Sequence, residues 1–328
     1  MSVTALAWIF AQTPLHTVLA VLQAANPWLL VVGVCLNVAT RFAAAERTHR
    51  MNGALGIQVS RTQNVVTLFI SNFYALLSPG PWLSGAVTVY RYHHLGATLT
   101  GSVSSLLASR AVEAAAFVSW GVMLALLDAR LDGAAARVPL QWGLAAFALT
   151  AASALAWWAL HRRHRATLSP AGRPSAVAPP TPMTRDSADA AQASGSRLRG
   201  RIVGVLRHLL LLGPVVALRA FVPATAQVFV AAAGLALLAH SVQAPMSWTS
   251  AVWISAAVYG AVLLPVSVAG LGVREFTLIG AFKLLGFEPR QAVAVSLLLF
   301  LDMLASGCIG AALQATTSID RARTRTVP

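Results

Sequence analysis

Charge is what this chain has least of. Only 10% of its 328 residues are Asp, Glu, Lys or Arg, and just 10 of those are acidic against 24 basic. An ordinary soluble domain carries about a quarter charged residues, so this chain has too few to cover a water-facing surface. Cysteine is nearly absent as well. Cys35 and Cys308 stand alone inside apolar stretches, which argues against a disulfide framework and against a metal site, and they read as packing residues at lipid depth. No membrane-level Ser-His-Asp set, His-Glu-x-x-His helix or P-loop occurs, so no catalytic machinery is visible and no cofactor is expected. The N-terminus MSVTALAWIF lacks a basic n-region, so cleavage as a secretory signal is not expected. A net charge of +14 would suit nucleic acid only if the basic residues shared one folded face. They sit instead in the gaps between apolar runs, which excludes nucleic acid as the expected partner.

What the chain has is hydrophobic length. Residues are 57% hydrophobic, and none of Asp, Glu, Lys or Arg occurs in 1–40, 62–90, 138–160 or 220–273. About 20 apolar residues span a bilayer as a helix, and a lipid-exposed backbone must be helical to satisfy its own polar groups. The expected fold is therefore all-α, a polytopic transmembrane helical bundle. Continuous spans are expected at 27–45, 101–127, 139–160, 220–240 and 290–315, with broken ones at 62–95 and 248–287. The apolar segment 1–26 is left open, and 202–218, with Arg207 and His208, reads as an interfacial helix.

Residues 161–201 hold eight Arg, two Asp and a run of Pro, Ser and Ala, a composition that cannot bury a core and reads as a disordered linker. Its Arg excess places it on the cytoplasmic side of an inner membrane. The same rule places 41–61 (Arg41, Arg47, Arg50, Arg61) and the tail 316–328 (Arg321, Arg323, Arg325) inside. These assignments hold together only if 62–95 and 248–287 are re-entrant hairpins, entering and leaving on one side each. Both contain a break: Pro79, Gly80, Pro81 and Gly85 in the first, Pro265, Gly270 and Gly272 in the second. Proline removes a helix donor and glycine permits non-helical backbone. Ordinary proline kinks are the alternative, and they would force one Arg-rich region outside.

After each break a short helix ends in Leu-Gly (Leu95-Gly96, Leu285-Gly286), and Ser-Leu-Leu follows about ten residues later (Ser105–Leu107, Ser296–Leu298). Segments 27–127 and 202–315 thus form two membrane repeats joined by the span 139–160 and the linker. The topology makes the repeat inverted, an arrangement that in many transporters puts the substrate near mid-membrane between broken helices.

Charges at helix centres in a membrane cost roughly 2.5 to 3.5 kcal/mol on insertion scales, so each implies a partner or a polar cavity. Five stand out: Arg110, Glu113, Arg274, Glu275 and Asp302. Arg110 and Glu113 are one turn apart and read as an internal ion pair. Arg274 and Glu275 follow the second break at the start of a half-helix, where free N–H groups attract an anion and a guanidinium adds a bidentate donor. One of the two can face ligand while the other pairs elsewhere, or both lock the hairpin to its neighbour. Asp302 is expected to pair with an Arg, Arg274 being the candidate, or to be protonated during transport. His93 and His94 beside Arg91 lack a third spaced ligand, so no metal is expected. Trp28, Trp82, Trp142 and Trp248 fall near predicted span ends, as an aromatic belt places them.

LPVSVAGLGVREFTLIGAFKLLGFEPRQAVAVSLLL, with Pro265, Gly270, Gly272, Arg274 and Glu275, resembles the signature of the lysylphosphatidylglycerol synthase transmembrane region. This is the flippase-like membrane part of the multiple peptide resistance factor and of stand-alone relatives. The first half is similar in its Pro-rich turn, Gly85 and the Arg110-x-x-Glu113 pattern, and PWLLVVGVCLNVATRF resembles the first long span. The chain departs from the pattern at Ala86, Ala269 and Leu301-Asp302. The resemblance covers most of 27–315 and implies a lipid-translocation module. The aminoacyltransferase domain of the bifunctional relatives is not expected after residue 315, so no lipid synthesis is expected of this chain. The expected function is movement of an anionic or amphiphilic lipid, phospholipid or polyprenyl-phosphate, between leaflets. The alternative is a non-catalytic membrane partner of a lipid-modifying or envelope-glycan enzyme.

Overall fold

The computed structural model of the protein describes residues 15–77, 82–128, 214–263 and 272–325. Among these, regular structure is entirely helical: α1 Leu15–Gln23, α2 Pro27–Ala54, α3 Arg61–Leu76, α4 Trp82–His94, α5 Leu99–Leu127, α6 Pro214–Ser241, α7 Trp248–Leu263, α8 Val273–Leu284 and α9 Pro289–Arg325. The expected span 139–160, the linker 161–201, Trp142 and the break residues Pro79, Gly80, Pro81, Pro265 and Gly270 lie outside the described residues. Among the described residues, four helices are long and apolar enough to cross a membrane: Pro27–Ala54, Leu99–Leu127, Val215–Ser241 and Pro289–Thr316.

Helix ends are written locally. Asn26 caps α2, its side chain accepting from the N–H groups of Trp28 and Leu29, with Pro27 in the first turn where a missing N–H costs nothing. Ser60 and Gln63 form a capping box at α3, Thr98 caps α5 through Gly101, and Ser247 accepts from the Ser250 N–H at α7. Four helices close with a reversed residue and the same bond back across it: Ile57 to Asn52, Ala97 to Tyr92, Ala244 to Ala239 and Phe287 to Phe282. The reversed residues are Gly56, Gly96, Gly286 and, alone among them in having a side chain, Gln243 at φ 60°. This Schellman geometry ends a helix without orphaned carbonyls.

Three boundaries differ from the sequence reading. The last span, expected to end at 315 before a tail over 316–328, continues as α9 to Arg325. The helix expected to stop at residue 45 continues as α2 to Ala54, so 41–54 is helix and not a loop. Its buried positions Gly33, Asn37, Thr40, Ala44, Arg47, Thr48 and Met51 keep helical spacing throughout. The segment expected to lie at the interface over 202–218 is helical from Pro214 and continuous with the span that follows, as α6. The residues of 202–213 lie outside the described set.

Packing pairs the first half of the chain with the second. Helix α2 lies along α6, α3 along α9 and α5 along α7. Close approach rests on small residues. A Cβ on Gly234 would strike the Asn37 side chain at 2.6 Å, one on Gly121 would collide with Ala256, and one on Gly310 would collide with the backbone of Phe69. In lipid, where side-chain burial gives little drive, such backbone approach is a main source of helix association. One apolar cluster gathers Val18, Leu238, Ile254, Leu278, Phe282 and Val293 from α1, α6, α7, α8 and α9. A second joins Phe117, Val228 and Val252 of α5, α6 and α7. Trp28, Leu127, Trp82 and Phe276 point outward, as expected for side chains that meet lipid.

Gly310→Ala should lower the stability of the detergent-purified protein by about 1–3 kcal/mol, because the added methyl has no room. Gly280→Ala, in the same fold but facing open space, should cost nothing. Thermal unfolding of the two variants side by side checks this, and equal tolerance would contradict the α3–α9 contact.

Candidate functional site: an arginine-lined cavity around Glu113

Glu113 projects from the buried face of α5, where Gly101, Ser105, Ala108, Ser109, Ala116 and Phe117 share its side of the helix. Its carboxylate meets Arg110 Nη1 of its own helix at 3.0 Å and Arg47 Nη2 of α2 at 3.2 Å. From α6, Gln227 Nε2 donates to it at 2.7 Å. Arg47 is fixed in turn: its Nη1 donates to the Gln227 carbonyl and its Nε donates to Ser109 at 3.1 Å. Ser109 also meets Thr48 at 3.0 Å. Three helices therefore share one anion. The Arg47 and Glu113 side chains are 4% and 5% exposed, whereas Arg110 is 47% exposed.

Arg110 opens on a polar cavity between α2, α3, α4 and α5. Arg41, Arg47, Arg110 and Glu113 line it, together with Ser71, Asn72, Ser84, Thr88 and Ser109. Most of the hydroxyls are engaged: Ser71 and Thr88 meet at 2.8 Å, and Thr88 donates to the Ser84 carbonyl at 2.9 Å. Two buried donors on this lining, Arg41 Nε and Asn72 Nδ2, have no hydrogen-bond partner among the described residues. A guanidinium and an amide are the donor types that phosphate or carboxylate oxygens use.

The second break is built differently. Gly272 sits at φ 91° before α8, a conformation open to glycine and strained for other residues. Glu275 turns back to accept the Gly272 N–H. Arg274 and Glu275 do not diverge: Arg274 Nη2 meets Glu275 at 3.0 Å. Ser296 of α9 accepts from Arg274 Nε at 2.9 Å and donates to Glu275 at 2.6 Å. The helix start expected to attract an anionic ligand thus carries its own carboxylate, and the pair fastens α8 to α9. Asp302 is 7% exposed and makes no ion pair with Arg274, whose hydrogen bonds go to Ser296 and Glu275. Gly85 lies in α4, where an added Cβ would press on Leu106 at 3.3 Å. Arg91, on the same helix, reaches Thr67 at 3.3 Å and Gln314 at 3.4 Å.

Arg41, Arg47 and Gln227 are site residues that the sequence reading did not select. Both arginines were placed in the cytoplasmic region 41–61, Arg41 at the end of the span expected over 27–45. The signal for them was the spacing of small and polar residues from Gly33 to Asn52, which runs through both at helical period.

Glu113→Gln should destabilise the fold by about 3–5 kcal/mol, since it leaves Arg47 buried with its charge uncompensated. Arg110→Gln, which removes a half-exposed partner, should cost less than about 1 kcal/mol. Denaturant titration of the two variants in detergent measures the difference, and similar losses would mean that Arg47 does not depend on Glu113.

No curated protein matches the chain. The family model described as the lysylphosphatidylglycerol synthase TM region matches residues 1–306, a range that takes in the cavity, both breaks, three of the four long apolar helices and the first part of the fourth. The chain is a membrane protein that belongs to the lysylphosphatidylglycerol synthase transmembrane-region family.

Proposed function

We propose that this protein is a flippase-like transporter that moves a lipid with an anionic phosphate headgroup between the leaflets of the inner membrane, and that it catalyses no covalent reaction. The observation that carries this reading is the excess of cations in a cavity within an apolar bundle. Three arginines and one carboxylate line that cavity, and two buried donors on the lining have no partner among the described residues. At membrane depth such a site is stabilised by an anion that enters it. The apolar walls suit acyl or prenyl chains trailing behind.

In this reading α3–α4 and α7–α8 are re-entrant hairpins of an inverted repeat, α2 to α5 and α6 to α9. The reciprocal contacts support it: α3 packs on α9 as α7 packs on α5, and α2 meets α5 as α6 meets α9. Matched punctuation supports it further. Gly56 precedes the Ser60 cap as Gln243 precedes Ser247, and Gly96 precedes Thr98 as Gly286 precedes Glu288. With the basic segment 161–201 and the C-terminal tail cytoplasmic, the first hairpin enters from the cytoplasm and the second from the other side.

Reconstitution into vesicles of phosphatidylcholine and phosphatidylglycerol, with a trace of phosphatidylglycerol fluorescently labelled on its tail, tests the activity by quenching from outside. Wild-type protein should expose inner-leaflet label. Arg41→Gln and Arg110→Gln should slow it about tenfold, since a hydrogen bond to a charged group is worth about 1.5–3 kcal/mol. If wild type moves none of a panel of anionic headgroups, the reading fails. Loss of cellular function on deleting 161–201 would then favour a scaffold for a lipid-modifying enzyme.

A further inference from the structure

Asp302 of α9 is buried, and its Oδ1 has no hydrogen-bond partner among the described residues. Its backbone carbonyl accepts from the Ser306 hydroxyl. It stands five residues before Gly307, which abuts Leu76 at the end of α3, so about 7.5 Å along the axis from that contact. Helices α2 and α8, which carry Arg41 and Arg274, both pack on α9, and these two arginines are the cations whose charge bears on the Asp302 carboxylate. Arg274 is already committed to Glu275 and Ser296. Of the other charges on the helices packed around α9, Arg61 of α3 is 73% exposed and reaches Glu46. On α9 itself, Arg290 pairs with Glu288 in the first turn. Arg41 is thus the uncommitted counter-charge of Asp302, and the same Arg41 lines the cavity around Glu113.

We infer that Asp302 is a proton-binding site whose charge is set by occupancy of the cavity, so that an anionic headgroup and one proton bind together. The inference rests on the anion-binding reading of that cavity. A headgroup that takes Arg41 withdraws the charge that compensates Asp302. An ionised carboxylate in a low-dielectric interior without a counter-charge takes up a proton instead. The balance closes: one negative charge enters on the headgroup, one proton passes from solvent to a carboxylate oxygen of Asp302, and the buried net charge is unchanged. Binding couplings are reciprocal, so protonation of Asp302 must in turn tighten the hold of Arg41 on the headgroup. Transport driven by a proton gradient follows directly.

Titration calorimetry of the full chain in detergent, with dihexanoyl phosphatidylglycerol as probe and two buffers of different ionisation enthalpy, counts the protons exchanged. Wild type should take up about one proton per lipid bound, with affinity tightening by up to about tenfold for each pH unit lowered. Asp302→Asn should bind without proton uptake and with a flat pH profile. Arg41→Gln, which keeps Asp302 but removes its counter-charge, should bind more weakly and also without uptake. Wild-type binding with no proton exchange overturns the inference while sparing the cavity, as does uptake that persists in Asp302→Asn or affinity that follows sodium instead of pH. Absence of any wild-type binding overturns the anion site and this inference with it.

Discussion

One carboxylate in an apolar bundle organises the first half of this protein. Glu113 is approached by Arg47 from α2, Gln227 from α6 and Arg110 from its own helix. Removing a charge from water is costly unless its partners are close and their remaining hydrogen bonds are met. Here the requirement fixes the rotation of α2, α5 and α6 about their axes, because each must present a polar residue to the same point. The cavity is a consequence. With Arg47 held by Glu113, Gln227 and Ser109, Arg41, about two turns earlier on α2, is left lining the cavity without an ion pair among the described residues.

The two breaks solve the same electrostatic problem in opposite ways. At the second, the positive end of α8 is met from within the chain by Glu275, with Ser296 completing a closed set. Beside the first, helices α3 and α4 line a cavity with more cations than anions. A protein that closes one such region and leaves the other polar and open has the asymmetry that a binding site requires, even though its halves share their punctuation.

Much of this was legible in the sequence, because membrane-embedded helices leave strong composition signals. The long apolar helices, the location of both breaks and the Leu95-Gly96 and Leu285-Gly286 stops follow from runs, Pro and Gly. What misled was the treatment of charge as a boundary. Arg41, Arg47 and Arg50 were read as marking the end of a span, yet α2 continues through all three, since a buried acid on a distant helix compensates Arg47. That acid is 66 positions away in sequence, and no local pattern announces the pairing. Gln227 was hidden for a related reason: an uncharged amide inside an apolar run carries no warning that it bridges two ions. The pairing of Arg274 with Glu275 depended on rotamers, which spacing does not set.

The glycine contacts have a kinematic meaning. Gly310 places α9 against the backbone of α3, and Gly121 places α5 against α7 at Ala256. Each broken pair of helices is therefore seated on the last helix of the opposite half. A see-saw of one half against the other would have to pull both seats apart at once, so the halves are cross-braced. The short second arms differ in how they join that braced frame: α8 is tied to α9 by Arg274, Glu275 and Ser296, whereas α4 is tied to α3 by the Ser71–Thr88 and Arg91–Thr67 contacts.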